Sequence, residues 1–535
     1  MLNQTYFELQ DIRALKGRSW IPLRCDTEES FDPGPGFSDA SRYTGIATVA
    51  VFPGQEAAAE RLGWDDLDPS PHRSHPEPDF YHSADLFRDS RSDEPIGLNL
   101  VIDQALEGTA DDVWHLHPDL VVALGLVREG DVWFRPKEGW VEVVRLVRDG
   151  DKPIAVEIRA EHLSDYLFAR SMRLYASSYV QRVVEADRKP SFSWADDEYA
   201  ATEGRDERLA QIGPASGFSG GKGFRIQGAL WRTEWFEPGT SSPRVRGDQE
   251  VNAITFATGP LGERVTPQQA RTEIDWLFFD PALVNSLLRY RGGALYWFSQ
   301  ETGGLGAADA RLHFGVNAKG LITVFAKDIG NLQPWEQRIW AMHSVASDGG
   351  VAHELFDAQM MCRPASTLAP EPKLGPALAR LEEGFRTQFG EDLLRHNGQA
   401  NDLLSRCHRF RASEADGLLA LSKDLTRLFV ERVDVAAVHR AAVQRNVTLK
   451  KEWKALKCLE GLASARLGEP DARTLMAPWF GTYDLRLADA HLSSGSPAGL
   501  DRVDVDPTAP GPMQGRALLA RVIAALDGIA DAVMP

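Results

Sequence analysis

The sequence predicts an α+β, multidomain chain: a mixed strand and helix N-terminal two-thirds followed by an all-α helical bundle. Three observations predict it. The 535 residues exceed what one hydrophobic core serves, so two to four domains are expected at roughly 150 residues each. Apolar residues alternate with polar ones in several windows before residue 365 and recur at helical spacing after it. A stretch with three prolines, STLAPEPKLGP (Ser366 to Pro376), separates the two characters as a linker. A hydrophobic content of 43%, with 14 Trp and 24 Phe, fills several cores and excludes a wholly disordered chain.

Four segments follow in order. Residues 1–95 read as an irregular, loop-rich region, because Asp65 to Pro95 is dense in Pro, Asp and Ser. Residues 96–190 read as an α+β domain. There DVWFRPKEGWVEVVRLVRDGDKPIAVEIR alternates around a turn at Asp149-Gly150-Asp151, and Leu163, Tyr166, Leu167, Met172 and Tyr175 then share a helical stripe. Residues 191–365 read as a strand-rich α+β domain. It opens on a flexible stretch through GFSGGKG, carries a hairpin at Asn317-Ala318-Lys319-Gly320 and ends near the short helix of PWEQRIWAMHSVA. Residues 366–535 read as the bundle. Leu374, Leu378, Leu381, Phe385, Phe389 and Leu393 form one stripe, and Leu519, Val522, Leu526, Ile529 and Val533 form another. Between them, Ser413 with Asp416 predicts a capping-box start, and a further helix is predicted from Thr448 to Gly468.

A net charge of −18 gives no overall attraction to nucleic acid, so any such contact needs a local basic patch or a basic partner. The four cysteines, Cys25, Cys362, Cys407 and Cys458, form no CxxC pair and suit neither a zinc ribbon nor a disulfide framework. The N-terminal MLNQTYFELQ lacks a basic start with an apolar run, and no segment nears the roughly 18 apolar residues of a membrane span. A cytoplasmic protein without a membrane partner is expected.

Most motifs that suggest chemistry fail on inspection. GFSGGKG has Ser216 at the first Gly position of a phosphate-binding loop and Gly223 at its hydroxyl position, so a linker is the better reading. His115, His117 and Asp119 alternate as metal-capable groups, but no fourth ligand follows. His72, His75 and His82 sit in a proline-rich loop. Glu157 and Arg159 approach the carboxylate-x-Lys end of a metal-dependent nuclease motif, yet Arg cannot give up its proton to act as a base.

The stretch YDLRLADAHL places Arg486 and His491 with four residues between them on the penultimate long helix. An imidazole takes and returns protons near neutral pH, and a guanidinium neutralises a phosphate as charge builds. Spacing alone does not single the pair out, since composition predicts about three chance matches. Arg338/His343 and Arg432/His439 match too. Context favours Arg486/His491, because it lies late in the helical part with one more long helix after it. With that setting, the last 170 or so residues resemble the HEPN superfamily, whose ribonuclease members carry R-x4-6-H. The departure is Leu487 directly after the Arg, where many members have a polar residue.

The resemblance implies a metal-independent ribonuclease with no cofactor and no bound metal, with Arg486 and His491 as its catalytic residues. It also implies an RNA substrate and a cleft formed in a homodimer, or with a partner protein, through the C-terminal bundle. The remaining two-thirds would sense a phage-derived or nucleotide trigger, in bacterial anti-phage defence or abortive infection. The alternative is a non-catalytic scaffold or recognition protein whose bundle mediates dimerisation. In it the Trp-rich strands LWRTEWFEP and ALYWFSQ, beside Arg232 and Arg244, hold a base or other ligand.

Overall fold

The computed structural model describes residues 3–534 other than 11, 36, 38, 68–84, 90, 91, 93, 105–112, 216–222, 237–240, 243, 244, 246–253, 273, 308–310, 397, 414, 415 and 489–498. The chain divides into two compact units, Met1–Val251 and Asn252–Pro535. The expected boundaries at 95/96, 190/191 and 365/366 are therefore not those of the compact units.

In the first unit the strands are β1 (Trp20–Ser30), β2 (Asp39–Val51), β3 (Leu86–Arg88), β4 (Pro95–Leu98), β5 (Val101–Gln104), β6 (Val113–Leu116) and β7 (Val127–Glu129). They continue with β8 (Val132–Arg135), β9 (Val141–Asp149), β10 (Lys152–Arg159), β11 (Arg173–Ala186), β12 (Glu198–Glu203), β13 (Asp206–Pro214) and β14 (Phe224–Phe236). Ten form one antiparallel path, β12-β13-β14-β11-β2-β1-β10-β9-β8-β7, with β4 on β2 and β3 on β4; β5 and β6 pair separately. The region expected to be irregular up to residue 95 thus supplies two central strands. Their polar ends, DTEES and DASRY, hid them: only the Ile21–Arg24 and Ile46–Val51 stretches are mostly buried, and the rest is a paired ribbon with water on it.

The helix expected to run through Tyr175 stops earlier. It spans Ala160–Arg170 and ends where Ser171 takes φ 54°, with Met172 N–H donating to Leu167 O. Tyr175, Ser177 and Tyr179 then alternate along β11, a period of two that their neighbours Met172 and Leu174 disguised. The stretch expected to be flexible after residue 195 holds a hairpin instead, β12 and β13 turning at Gly204 (φ 62°). The turn at Asp149-Gly150-Asp151 joins β9 to β10 as expected.

The second unit combines strands and helices. Strands β15 (Phe256–Thr258) and β16 (Glu263–Val265) pair with each other, while β17 (Trp276–Phe279), β18 (Ala294–Trp297), β19 (Thr302–Gly306), β20 (Leu312–Val316), β21 (Ile322–Phe325) and β22 (Ser344–Val345) form a sheet ordered β18-β19-β20-β21-β17-β22. The hairpin at Asn317–Gly320 and a helix over Pro334–Met342 are present. The long helices that follow are Glu371–Phe389, Leu418–Leu428, Val435–Gln444, Ala455–Leu467, Glu469–Ala488 and Gly511–Val533. Their apolar stripes meet in one core around Leu381, Phe385, Leu425, Phe429, Trp479 and Leu526. The sheet's core takes Phe410 from the helical part, so sheet and helices pack together within the second unit.

The expected linker is half helix. Pro372 sits in the first turn, where its missing N–H would be unpaired anyway, and Pro376 is carried inside the helix. The capping start at Ser413 is not formed, since the helix begins at Leu418 behind Gly417 (φ 54°). The helix expected from Thr448 begins at Ala455 and stops before Gly468 (φ 82°). Among the described residues no helix is long and apolar enough to cross a membrane.

Candidate functional site

The helix Glu469–Ala488 carries Arg486 in its last turn, directly after Leu485, which packs into the bundle core. Facing away from that core, the half-buried Arg486 guanidinium forms an ion pair with Glu431. His491 and Asp489 lie outside the described residues, so the structure places only one half of the candidate pair. Asp484, a neighbour of Arg486 in the same turn of that helix, accepts from Arg502 at 2.5 Å.

Glu431 belongs to the 3-10 turn Val430–Arg432 and lines a cleft of about 610 Å³ with Arg395, His396, Gln399, Leu403, Arg406, Arg427 and Arg432. Backbone pairing builds it. The segment around Leu394 is strapped antiparallel to Val433, with Arg395 N–H donating to Arg432 O at 2.7 Å and Asp434 N–H to Leu393 O at 2.8 Å. Arg395 Nη2 donates to Glu431 O at 2.5 Å, and Arg432 Nε to Arg395 O at 3.2 Å, so backbone carbonyls hold these two guanidiniums in place. Arg406 is anchored from below by Asp424, whose carboxylate is buried and also takes Arg411 Nε at 2.9 Å. Arg427 is exposed on the helix Leu418–Leu428 and makes no ion pair with a described residue.

Four guanidiniums therefore line the cleft against one lining carboxylate, with the buried Asp424 beneath Arg406. On a chain of net charge −18 this is the local basic patch that phosphate contact requires. Arginine forks match phosphate oxygens two at a time.

A second cavity, of about 800 Å³, shares Arg406 and is lined among others by Trp297, Glu371, Cys407, His408 and Arg411. Beneath it Arg409 is fully buried. Its Nε and Nη2 donate to the two oxygens of Glu371 at 2.6 and 2.9 Å, its Nη1 donates to Gln300 O at 2.7 Å, and its plane lies 3.8 Å from the Trp297 ring centre. Burial pushes the His408 imidazole down to about 4 and raises the Cys407 thiol. Both are neutral near pH 7, so this pair is suited to packing rather than to proton transfer or attack. Sequence reasoning missed the Arg409–Glu371–Trp297 cluster because its members are far apart in the chain. The only local signal was CHRFR (Cys407–Arg411), a charged run in a helical region.

The other candidates disperse. His117 Nδ1 accepts from Asp119 N–H at a helix start, Asp119 takes Tyr166 and Arg170, and His115 faces Gln104, so the alternating trio does not converge on a metal. Glu157 pairs with Arg145 across β9 and β10, and Arg159 donates to Glu142 O. Among the described residues no group of three or more His, Cys, Asp or Glu is placed to hold a metal ion. His343 Nε2 lies 2.9 Å from Ser286 Oγ, and burial lowers its pKa. Arg432 lines the cleft, whereas His439 Nε2 lies 3.6 Å from Cys458 Sγ. Arg232 alternates away from Trp231 and Trp235 and binds Asp206 and Ile12 O, which corrects its expected place beside those rings. Arg244, GFSGGK (residues 217–222) and the histidines at 72, 75 and 82 lie outside the described residues.

Comparison with protein-family models, curated proteins and solved structures finds no match to this chain.

Proposed function

We propose that the C-terminal helical part binds and cleaves RNA without a metal, as a HEPN-like ribonuclease, and that the arginine-lined cleft is where the phosphate backbone docks. One observation carries this: Glu431 joins Arg486, the motif arginine, to a cleft with four further arginines and a histidine. In the proposed reaction the imidazole of His491 takes the proton of a ribose 2′-OH as that oxygen attacks phosphorus. The bond to the 5′ oxygen breaks, that oxygen receives a proton, and a 2′,3′-cyclic phosphate remains. Arg486 neutralises the charge on the non-bridging oxygens. The setting we propose is a cytoplasmic anti-phage effector acting as a homodimer, with the first unit sensing the trigger.

RNA cleavage is measured in EDTA with total RNA and tRNA, comparing the wild type with His491→Ala, Arg486→Ala and His396→Ala. The expected result is cleavage that survives EDTA, leaves cyclic phosphate ends and is lost in the first two variants. Loss in His396→Ala with full activity in His491→Ala would move the base into the cleft. Cleavage abolished by EDTA and indifferent to His491 would refute the mechanism.

A further inference from the structure

On β11 and β14 of the first unit, alternate residues share one face of the large sheet: Tyr179 stands opposite Trp231 and Ser177 opposite Thr233. The next strand, β2, brings Gly45 opposite Tyr179. With no side chain there, the Trp64 indole lies down on the strand; a Cβ on Gly45 would fall 2.2 Å from its Cη2. The result is a run of three rings, one pair stacked and the other tilted. Trp64 and Tyr179 are 5.4 Å apart at 33°, and Tyr179 and Trp231 are 5.3 Å apart at 22°.

These rings form one wall of a pocket of about 480 Å³. Its floor holds Ser177, a fully buried residue whose Oγ makes no hydrogen bond with any described residue. The rim is acidic: Asp65, Asp66 and Glu207 outweigh Arg205 by a net −2. Burial, with the Asp65 carboxylate nearby, pushes the Tyr179 phenol up to about 12, so that ring stays neutral.

The shape and charge select a ligand class. Rings stacked at small angles extend to another flat ring, whereas an ammonium cage needs walls set across one another. Carboxylates at the rim accept from amino N–H groups and repel phosphate. We infer that this pocket binds an amino-bearing nucleobase, as free base or nucleoside, and discriminates against its phosphorylated forms. This does not rest on the helical cleft, and its test reads binding rather than cleavage.

The test is calorimetric titration of the full chain with adenosine, cytidine and guanosine, and with purine riboside, adenosine 5′-monophosphate and choline. At least one amino-bearing nucleoside is expected to saturate at or below about 1 mM, the ordinary strength of one stacked base with two or three hydrogen bonds. Purine riboside, which lacks the amino group, and the monophosphate are each expected to bind roughly tenfold more weakly than adenosine. Trp231→Ala is expected to weaken binding at least tenfold. Because Trp231 also packs in the core, Glu207→Gln serves as the second variant: exposed at the rim, it should narrow the preference for adenosine over the monophosphate without changing the thermal midpoint. No saturable binding of any of the three nucleosides overturns the inference. Equal affinity for adenosine and its monophosphate, or binding of choline alone, overturns it too.

Discussion

The buried Arg409–Glu371 pair allows a quantitative test of what holds the second unit together. Arg409 spends its guanidinium on Glu371, on the Gln300 carbonyl and on the Trp297 ring face, and none of it reaches water. Replacing Glu371 with Gln keeps the shape but leaves a buried cation facing an amide that also presents N–H groups. Breaking one partner of a buried pair costs about 3–5 kcal/mol. Asp424→Asn is the internal control. Asp424 is the more buried of the two carboxylates, but its partners Arg406 and Arg411 are 48% and 22% exposed, so their charges stay hydrated and the loss is about 2 kcal/mol. Urea unfolding followed by tryptophan emission, with circular dichroism as a second probe, measures both. The double substitution Glu371→Leu with Arg409→Met should recover most of the loss, because two apolar groups need no partners. A loss below about 1 kcal/mol in Glu371→Gln, or one no larger than in Asp424→Asn, would refute the reasoning.

Three further outcomes are expected. Arg427→Glu should lower RNA affinity about tenfold and reduce the slope of log affinity against log salt by about 1, whereas Glu431→Gln, which frees Arg486 and raises the cleft's charge, should tighten binding; filter binding at several salt concentrations measures both. His408 has a folded pKa of about 4 against an ordinary 6.5, so the unfolded chain binds the extra proton between these values. Its contribution is therefore fully present above pH 6.5 and is lost as pH falls towards 4, by about 3 kcal/mol in all; His408→Phe should flatten that part of the stability profile measured by urea titration. Gly45→Ala drives a methyl into the Trp64 ring and should cost about 1–3 kcal/mol in unfolding experiments while shifting the near-ultraviolet dichroism of the ring stack.

The sequence shows a helical third because its stripes repeat over several turns, and the stripes of Leu374–Phe389 and Leu519–Val533 are those that pack. It shows hairpins where a glycine must turn left-handed, as at Gly150 and Gly320. It hides the large sheet, since β1 and β2 carry charge on ends that stay paired but wet, and β11 begins inside what looks like a helical stripe. Period-two and helical patterns overlap over so short a window, and only the partner strands decide between them. The cleft was hidden for another reason. Arg395, Arg406 and the Arg427/Arg432 pair come from separate segments, and a linear motif records only residues on one segment: Arg432 matched one with His439, which lies elsewhere, by Cys458. Arg486 was found because it lies in such a motif, while its partner Glu431 was not, because 55 positions separate them.

Charge gives the two proposed sites opposite tasks. A chain of net charge −18 repels polyanions at long range, but that field is screened within about 8 Å at physiological ionic strength. On the proposed reading, phosphate binding is then confined to the place where arginines meet it at contact distance, the arginine-lined cleft. At the aromatic pocket the same acidic background works in the other direction. With −2 at its rim, a phosphate brought to contact meets carboxylates in a partly desolvated site, where repulsion is strongest. The two proposed sites would thus sort a phosphodiester backbone from a phosphate-free base by local charge before any finer contact is made. The sorting survives high salt better at the pocket, because buried or partly buried pairs are screened less than the exposed Arg427.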